Sequence, residues 1–382
     1  MILTIPCLRT WPAEAVTLVT QFSVSRLRRF ERITSTWDGP LSITIYLTDA
    51  ADISTLESHL LSSPTALAAY RSLALTIIKP DYSISEAALI NRLRYPINKL
   101  RNLALNLAPT SYVLVTDADF VPSPRMHSIL QTRGVPLIAN PTLATASPTL
   151  RRTAVVISAF VLSSASNTTY PTTPLALQSA LESHPPLISL TDPNAGHGPS
   201  LPSLLLTPPF SPHLPSSSNA IPPKHWSYDI CYEPQWEPYY LLHRPSHPLY
   251  DERFSDQGGD KQSHTLLLNA LGYEFKALRD VWFMHPPKGV PPVEGEEVVD
   301  EEWPSARLVD PARLVEDHSL ENDPRHFSVA QKDQKRFRYF EDYVPEVERL
   351  FGRNFRWPRG CEAGVVGVRS FGRARAGVVF GM

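Results

Sequence analysis

Two aspartates in the segment YVLVTDADFVP (residues 112–122) are the strongest candidates for chemistry in this sequence. Asp117 and Asp119 stand one residue apart, directly after an apolar run that is predicted to be a buried strand. In open α/β sheets, ligands bind beyond the carboxyl ends of the strands. Two carboxylates at such a position can share Mg²⁺ or Mn²⁺, which in turn can hold a diphosphate. The same triplet also occurs in solvated turns, so the spacing alone leaves both interpretations open.

A histidine and a group of acids extend the candidate site. His285 follows the apolar run VWFM, and a neutral imidazole at a strand end can complete a metal site, although a lone histidine is also common at surfaces and in cores. Four acidic residues cluster on a segment that contains Gly258 and Gly259: Asp251, Glu252, Asp256 and Asp260. One of them can act as the general base that activates an acceptor hydroxyl, and a loop of solvated acids is the alternative.

A further pair of acids lies among aromatic residues. Glu233 and Glu237 occur in CYEPQWEPYY, a pattern that suits sugar binding and equally suits a half-buried strand. Other reaction classes lack their usual markers, because the chain has no Gly-x-Ser-x-Gly elbow and the glycine pair lacks the strand–loop–helix frame of a phosphate-binding motif.

The composition indicates a globular protein without affinity for nucleic acid. Of 382 residues, 42% are hydrophobic, and 36 Lys plus Arg balance 38 Asp plus Glu, so no basic face is expected to bind nucleic acid. No apolar run reaches 18 residues, and the N-terminus does not look like a signal peptide. Among the cysteines, a Cys7–Cys231 or a Cys231–Cys361 bridge and three reduced thiols are all compatible with the sequence.

The predicted elements place these residues on an α/β fold. Apolar, β-branched strands are predicted at residues 15–22, 41–49, 73–80, 112–116 and 154–162, with helices between them. Alternating strands and helices predict a central, mostly parallel sheet flanked by crossover helices. Later in the chain we predict a helix at 263–271, strands at 273–278 and 281–284, and a helix at 332–350.

The domain organisation follows from the composition along the chain. We predict one domain over residues 13–352, with a partly disordered, Pro- and Ser-rich insertion at about 163–223. Residues 353–382 form a Gly- and Arg-rich C-terminal tail.

Several blocks in order resemble glycosyltransferase family 49, which includes the C-terminal domain of the LARGE xylosyl/glucuronyltransferases and beta-1,4-glucuronyltransferase. The blocks are VTLVTQFSVSRL, WDGPLSITIYLTDA, YPINKLRNLAL, YVLVTDADFVP, YDERF, GYEFKAL and the sequence Met284-His285-Pro286. They span about residues 16 to 288, interrupted by the Pro- and Ser-rich stretch. Four or more blocks in the same order make this resemblance specific.

The resemblance implies a nucleotide-sugar-binding fold of the GT-A type and a UDP-sugar donor, with glucuronic acid or xylose as the sugar. It implies Mn²⁺, with Mg²⁺ as the alternative, held by Asp117, Asp119 and His285. It implies inverting transfer to a glycan or glycoprotein hydroxyl, with Asp260 or Asp256 as the base. The side chains expected at the donor are Gln21, Asn98, Arg101 and Asp117. For Asn98 and Arg101 the alternative is helix packing and capping of a neighbouring loop. The resemblance also implies protein glycosylation in the Golgi lumen, where family members are usually anchored by an N-terminal membrane span; no such span is visible in this sequence, so another location stays open.

One block departs from the family pattern. LARGE relatives carry a stretch like Gly-Phe-Gly-Trp-Asn-Lys where this chain has SDQGGDK (residues 255–261), so the tryptophan is absent and Asp260 replaces an asparagine. Because of this departure, an alternative hypothesis is a catalytically inactive family member that binds nucleotide-sugar or glycan. A metal-dependent hydrolase, in which two acids and a histidine activate water, is a third hypothesis.

Overall fold

One mixed sheet organises the molecule. The computed structural model describes residues 1–61, 73–138, 152–163, 170–190, 226–232, 236–255, 258–286 and 337–352. The strands in these ranges are β1 (Ile2–Ile5), β2 (Val16–Ser23), β3 (Leu41–Tyr46), β4 (Ala74–Ile78), β5 (Tyr112–Val115), β6 (Val121–Pro122), β7 (Arg152–Leu162), β8 (Ile188–Leu190), β9 (Ser227–Ile230), β10 (Tyr239–His243) and β11 (Tyr273–His285). The α-helices are α1 (Leu27–Thr36), α2 (Ala51–Leu61), α3 (Glu86–Leu93), α4 (Ile97–Leu107), α5 (Met126–Ile129), α6 (Val135–Ile138), α7 (Pro174–Glu182), α8 (Asp260–Ala270) and α9 (Val344–Phe351).

The strand order within the described residues is β1-β4-β3-β2-β5-β10-β7-β11-β6, with β8 beside β7 and β9 beside β11. The ladders β4/β3, β3/β2, β2/β5 and β7/β11 are parallel and span four to nine residue pairs. The other ladders are antiparallel and span two to four pairs each. The prediction of an α/β fold with a central, mostly parallel sheet and flanking helices is confirmed.

Buried apolar side chains explain why the N-terminal strands form the centre. Strand β3 is buried along its whole length and β2 along all but its last residue, as expected for strands covered on both faces. Helix α1 turns Leu27, Phe30 and Ile33 into the core at helical spacing. Helix α4 packs against β2, β3 and β4, and its Ala104 carbonyl accepts a hydrogen bond from the Ser42 hydroxyl at 2.7 Å. This packing fixes α4, which carries two of the predicted site residues.

The structure differs from the sequence prediction at several elements. Strand β1 was not predicted, because its side chains are exposed at the edge of the sheet and show no burial pattern. The two predicted strands 273–278 and 281–284 form the single strand β11, with an irregular register between Ala277 and Trp282 and a positive φ of 64° at Asp280. A polar, irregular centre looks like a turn in the sequence, which is why one strand was predicted as two.

Part of the predicted insertion is folded. Within residues 170–190, helix α7 and strand β8 pack Leu177 and Ile188 against Phe160 and Trp282. Thr173 caps α7 by accepting a hydrogen bond from the Ala176 amide at 3.2 Å. High Pro and Ser content therefore did not indicate a lack of structure here. Residues 164–169 and 191–225 of the predicted insertion and the predicted tail lie outside the described residues.

The cysteines and the helices give two further facts. Cys231 is disulfide-bonded, while the Cys7 thiol donates to the Arg9 carbonyl at 3.6 Å, so the Cys7–Cys231 bridge allowed by the sequence is not formed. No helix in the described part of the chain is long and apolar enough to cross a membrane.

Candidate active site

Strand direction gathers the candidate residues at one edge of the sheet. Strands β2 and β5 are parallel, and β10 runs antiparallel to β5, so the start of β10 lies beside the ends of the other two. Strand β11 runs in the direction of β5, because β7 is parallel to β11 and antiparallel to β10. The segment after β5, the start of β10 and the end of β11 therefore converge at the edge where α/β sheets bind ligands.

Asp119 and His285 are brought together by this geometry. The Nε2 atom of His285 lies 3.5 Å from Oδ2 of Asp119, and the guanidinium of Arg26 donates to the same oxygen at 2.8 Å. Arg29 lies 3.7 Å from it. Burial alone would raise the pKa of Asp119, but Arg26 and His285 lower it well below the usual range. Asp119 is therefore a buried carboxylate that stays ionised at neutral pH.

Asp117 faces a different set of partners. Its Oδ2 accepts from the Lys261 ammonium at 2.7 Å and from the Tyr239 hydroxyl at 2.8 Å, and its Oδ1 pairs with Arg101 at 3.1 Å. Lys261 also reaches Oε2 of Glu237 at 3.4 Å. Burial alone would lower the pKa of Lys261, but Asp117 and Glu237 raise it above its usual value. The two predicted metal-binding aspartates thus lie in two adjoining networks, and in each network the carboxylate is paired with cationic side chains.

Arg101 and Asp260 form a buried ion pair beneath these networks. Their atoms Nη1 and Oδ2 are 2.6 Å apart, and the Arg101 side chain is only 2% exposed. The same guanidinium nitrogen donates to the Asn98 side chain at 2.9 Å, and the guanidinium lies 5.4 Å from the ring centre of Tyr250. Burial would lower the pKa of Arg101, but Asp260 and Asp117 raise it. Asp260 therefore holds Arg101 in place and has little contact with solvent.

The start of helix α8 is fixed by a glycine and by distant contacts. Gly259 has a φ of +100°, and an added Cβ would come within 2.8 Å of Phe254 and Tyr339. The Asn98 amide donates to the backbone carbonyls of Asp251 at 2.8 Å and of Asp260 at 3.3 Å. These contacts tie α8 to α4, so that Asp260 and Lys261 reach the edge of the sheet.

The predicted residues are thus only partly assembled. Asp117, Asn98, Arg101 and Asp260 share one hydrogen-bonded network, and Asp119 contacts His285. The Gln21 side chain accepts a hydrogen bond from the Tyr95 hydroxyl. Asp256, the other predicted base, lies outside the described residues.

Three side chains that complete the site are not predicted from the sequence. Arg26, Tyr239 and Lys261 contact the two aspartates, and Lys261 carried a signal because it follows Asp260 directly in the segment that departs from the family pattern. Arg26 and Tyr239 have no distinguishing sequence signal, because each lies in an otherwise ordinary helix entry or aromatic strand.

The three predicted metal ligands can be tested against this arrangement. Within the described ranges, no three His, Cys, Asp or Glu side chains lie close enough together to hold a metal ion. Asp119 and His285 offer the carboxylate oxygen and imidazole nitrogen that Mn²⁺ accepts, and they lie in contact. Asp117 is turned toward cationic side chains. Asp119 and His285 therefore remain candidate ligands, although a cation would have to replace Arg26, which donates to the same Asp119 oxygen at 2.8 Å.

Comparison with known proteins identifies relatives. The chain matches the model of glycosyltransferase family 49, described as "Glycosyl-transferase for dystroglycan", over residues 57–185 and 214–302. It is 28% identical over 278 residues to the xylosyl- and glucuronyltransferase LARGE2 of Mus musculus, a match that covers 71% of this chain and 34% of that protein. It is 27% identical over 294 residues to the glycosyltransferase-like protein gnt14 of Dictyostelium discoideum, covering 77% of this chain and 40% of that one.

The chain spans less than half the length of these relatives. A solved structure of S. aureus TarS 1-349 in complex with UDP-GlcNAc aligns with a TM-score of 0.36 and 9% identity, covering 72% of this chain and 60% of that one, a likeness too weak to assign a function. The family match resumes at residue 214 and ends at 302, so it includes both the start of β10 and His285. Because the matched residues make up more than half of its length, this chain belongs to glycosyltransferase family 49.

Proposed function

We propose that this chain is a metal-dependent, inverting glycosyltransferase of the GT-A type. It would move glucuronic acid or xylose from a UDP-sugar to a hydroxyl of a glycan or glycoprotein acceptor. The observation that carries the proposal is the contact between Asp119 and His285, at 3.5 Å, on the ligand-binding edge of a sheet in a chain of glycosyltransferase family 49. Family membership supports the reaction class, and this contact supports the metal.

A divalent cation, Mn²⁺ or Mg²⁺, would be held by Asp119 and His285. Bound there, it would neutralise charge on the diphosphate leaving group as a Lewis acid. Asp117 would take part only after exchanging its contact with Lys261, which is 2.7 Å away. The chain's own contribution is to keep Asp119 ionised and to orient it through Arg26.

The donor side of the site has cationic groups for a diphosphate. Arg26 and Arg29 keep 37% and 28% of their side-chain surface exposed beside Asp119. A guanidinium can bind phosphate oxygens in a bidentate manner, so these arginines are suited to the nucleotide. The names of the relatives, xylosyl- and glucuronyltransferases, support the two candidate sugars.

The cellular location proposed for this chain is the Golgi lumen, by analogy with its relatives. The disulfide at Cys231 supports this location, because disulfides persist in oxidising compartments such as the secretory pathway.

A donor screen tests the proposal directly. Purified protein is incubated with Mn²⁺, each common UDP- or GDP-sugar and a panel of glycan acceptors, and nucleotide release is measured with and without chelator. We expect acceptor-dependent UDP release that stops on chelation and returns with Mn²⁺. Asp119→Asn should reduce release at least about 100-fold, since it removes a charge that would bind the metal. The matched variant Asp81→Asn, at an exposed loop position, should match the wild type.

A non-catalytic, nucleotide-sugar-binding member is the second candidate. It is favoured by the three donors around Asp117, which a cation would have to displace. Calorimetry that detects UDP binding, together with no UDP release from any donor and acceptor, would support this candidate over the enzyme. UDP release that never increases with acceptor would instead indicate a hydrolase.

A further inference from the structure

We propose that Glu237 is the general base that deprotonates the acceptor hydroxyl, an inference that rests on the transferase activity proposed above. The sequence-based prediction assigned this role to Asp260 or Asp256. The contacts of the described acids favour a different carboxylate, at the start of β10.

The position of Glu237 suits an approach by the acceptor. Its Oε2 lies 3.4 Å from the Lys261 ammonium, which itself contacts Asp117 at 2.7 Å, so the carboxylate adjoins the donor side of the site. Its side chain keeps 20% of its surface exposed. Buried Trp236 precedes it and Tyr239 follows two residues later, and these fix the backbone around it. Glu237 therefore adjoins Lys261 at the start of β10, with part of its side chain open to an acceptor.

The other described acids at this edge are committed to strong donors. Asp260 pairs with Arg101 at 2.6 Å and is 7% exposed, so an acceptor hydroxyl has little access to it. Asp119 accepts from Arg26 at 2.8 Å and lies 3.5 Å from His285, with which it would hold the cation, so its role at the site is a different one.

Asp117 and the acids of the 251–252 segment are also engaged. Asp117 accepts from three donors. Asp251 accepts hydrogen bonds of 2.6 to 3.1 Å from the Arg253 guanidinium. Glu252 accepts a hydrogen bond from the Asn102 side chain at 3.0 Å. Glu237 has a 20% exposed side chain and lies 3.4 Å from Lys261, a position that an acceptor hydroxyl could approach.

The electrostatic surroundings of Glu237 support the same role. Burial raises the pKa of Glu237, the charge of Lys261 opposes that rise, and the nearby carboxylates Asp260 and Asp117 add to it. A carboxylate with a raised pKa is a stronger base, and general-base catalysis is most effective when that value approaches the working pH.

The step is an in-line displacement. As the acceptor oxygen forms its bond to the anomeric carbon, its proton passes to an oxygen of Glu237. The bond between the anomeric carbon and the β-phosphate oxygen breaks, and its electron pair leaves with UDP. Glu237 then returns the proton to solvent, so neither an oxidant nor a further reactant is needed.

The test compares Glu237→Gln with Glu57→Gln, a matched change on the exposed face of α2. For Glu237→Gln we expect kcat for acceptor-dependent UDP release to fall 100-fold or more, the lower end of the range for general-base removal (roughly 10²–10⁴). The dissociation constant for UDP with Mn²⁺, measured by calorimetry, should change less than about threefold, since Gln keeps a contact to Lys261. Glu57→Gln should behave as the wild type.

Further variants distinguish the loss of a base from the loss of the fold. Glu237→Asp keeps a carboxylate and should recover part of the lost kcat, which a fold defect would not allow. An active Glu237→Gln, or one that loses UDP binding together with turnover, would overturn the inference. So would loss of turnover with intact UDP binding in Asp256→Asn but not in Glu237→Gln. A wild type without acceptor-dependent UDP release would overturn the proposed function itself, which separates that failure from this one.

Discussion

Removing one partner of the buried ion pair between Arg101 and Asp260 should destabilise the fold, because the other charge is left buried. The Arg101 side chain is 2% exposed and its guanidinium pairs with the carboxylates of Asp260 and Asp117. Asp260→Ala removes the first carboxylate, while the second stays 3.1 Å from the guanidinium. Removing one partner of a buried pair costs about 3–5 kcal/mol, and the remaining carboxylate places the expected loss near the lower limit, about 3 kcal/mol. Asp260→Asn keeps an oxygen for Arg101 to bind, so about 1 kcal/mol is expected.

The assay is urea unfolding followed by tryptophan fluorescence, without reductant so that the disulfide stays intact. The matched control is Asp229→Ala. The Asp229 side chain is 68% exposed and forms a surface ion pair with Lys276. An exposed pair of this kind contributes about 0–1 kcal/mol, so the control should unfold close to the wild type. If Asp260→Ala and Asp229→Ala lowered the free energy of unfolding equally, the assignment of Asp260 to a buried structural pair would be refuted.

The same variants separate structure from chemistry at Asp260. A structural role predicts that Asp260→Asn retains most acceptor-dependent turnover, in line with the small loss of stability. A fully stable Asp260→Asn that had lost turnover 100-fold would restore Asp260 as the base, which the sequence alone suggested.

Three further outcomes follow from the described contacts. Gly259→Ala should lower the midpoint of urea unfolding, because a φ of +100° is strained for alanine and the added Cβ would meet Phe254 and Tyr339 at 2.8 Å. The control is Gly352→Ala, whose Cβ would have no atom within 4 Å. It carries the backbone strain without the clash, so its unfolding midpoint should fall less. Phe30→Ala should cost about 4 kcal/mol of unfolding free energy, since the ring is fully buried and stacks on Phe22 at 4.8 Å; an unchanged midpoint would contradict this packing. Burial lowers the pKa of His247 to about 4, so this group favours the folded state above about pH 6.5, and up to about 3 kcal/mol is lost as pH falls from 6.5 toward 4. Unfolding titrations from pH 7.5 to 5 should show about 2 kcal/mol of that loss, and a His247→Gln variant should show a shallower dependence.

The sequence predicted those features that depend on local pattern. Strands β2, β3, β4 and β5 are apolar and β-branched because both faces are covered, and this continuous pattern identifies buried parallel strands. Once β5 is recognised, the position of Asp117 and Asp119 beyond its carboxyl end follows. The contact of Asp119 with His285 required only that β11 run in the same direction as β5.

The partners of the two aspartates could not be predicted in this way. Lys261 lies 144 residues after Asp117, and Asp260 lies 159 residues after Arg101, so no local periodicity connects them. Their proximity depends on the turn at Gly259 and on the contacts of Asn98 with the backbone of a distant segment. An acidic residue in a glycine-containing segment resembles a solvated base in the sequence, whereas the fold places Asp260 against a buried cation.

The charges of the site give an independent reason for a metal. Within the described residues, four carboxylates contact four cationic side chains at this edge: Asp117, Asp119, Asp260 and Glu237, and Arg26, Arg29, Arg101 and Lys261. The negative and positive charges therefore balance before any donor binds. A nucleoside diphosphate adds negative charge, and Arg101 cannot turn toward it without breaking its pair with the buried carboxylate of Asp260. A divalent cation at Asp119 and His285 would restore the balance, and Lys261, once released from Asp117, would face the donor.

The variant Lys261→Gln should therefore bind Mn²⁺ more tightly in the absence of donor, because the ammonium no longer competes for Asp117. The same variant should bind UDP more weakly, because it lacks the ammonium that would face the donor. Calorimetric titrations of Mn²⁺ alone and of UDP with saturating Mn²⁺ would separate the two effects, and a parallel change in both affinities would contradict the competition.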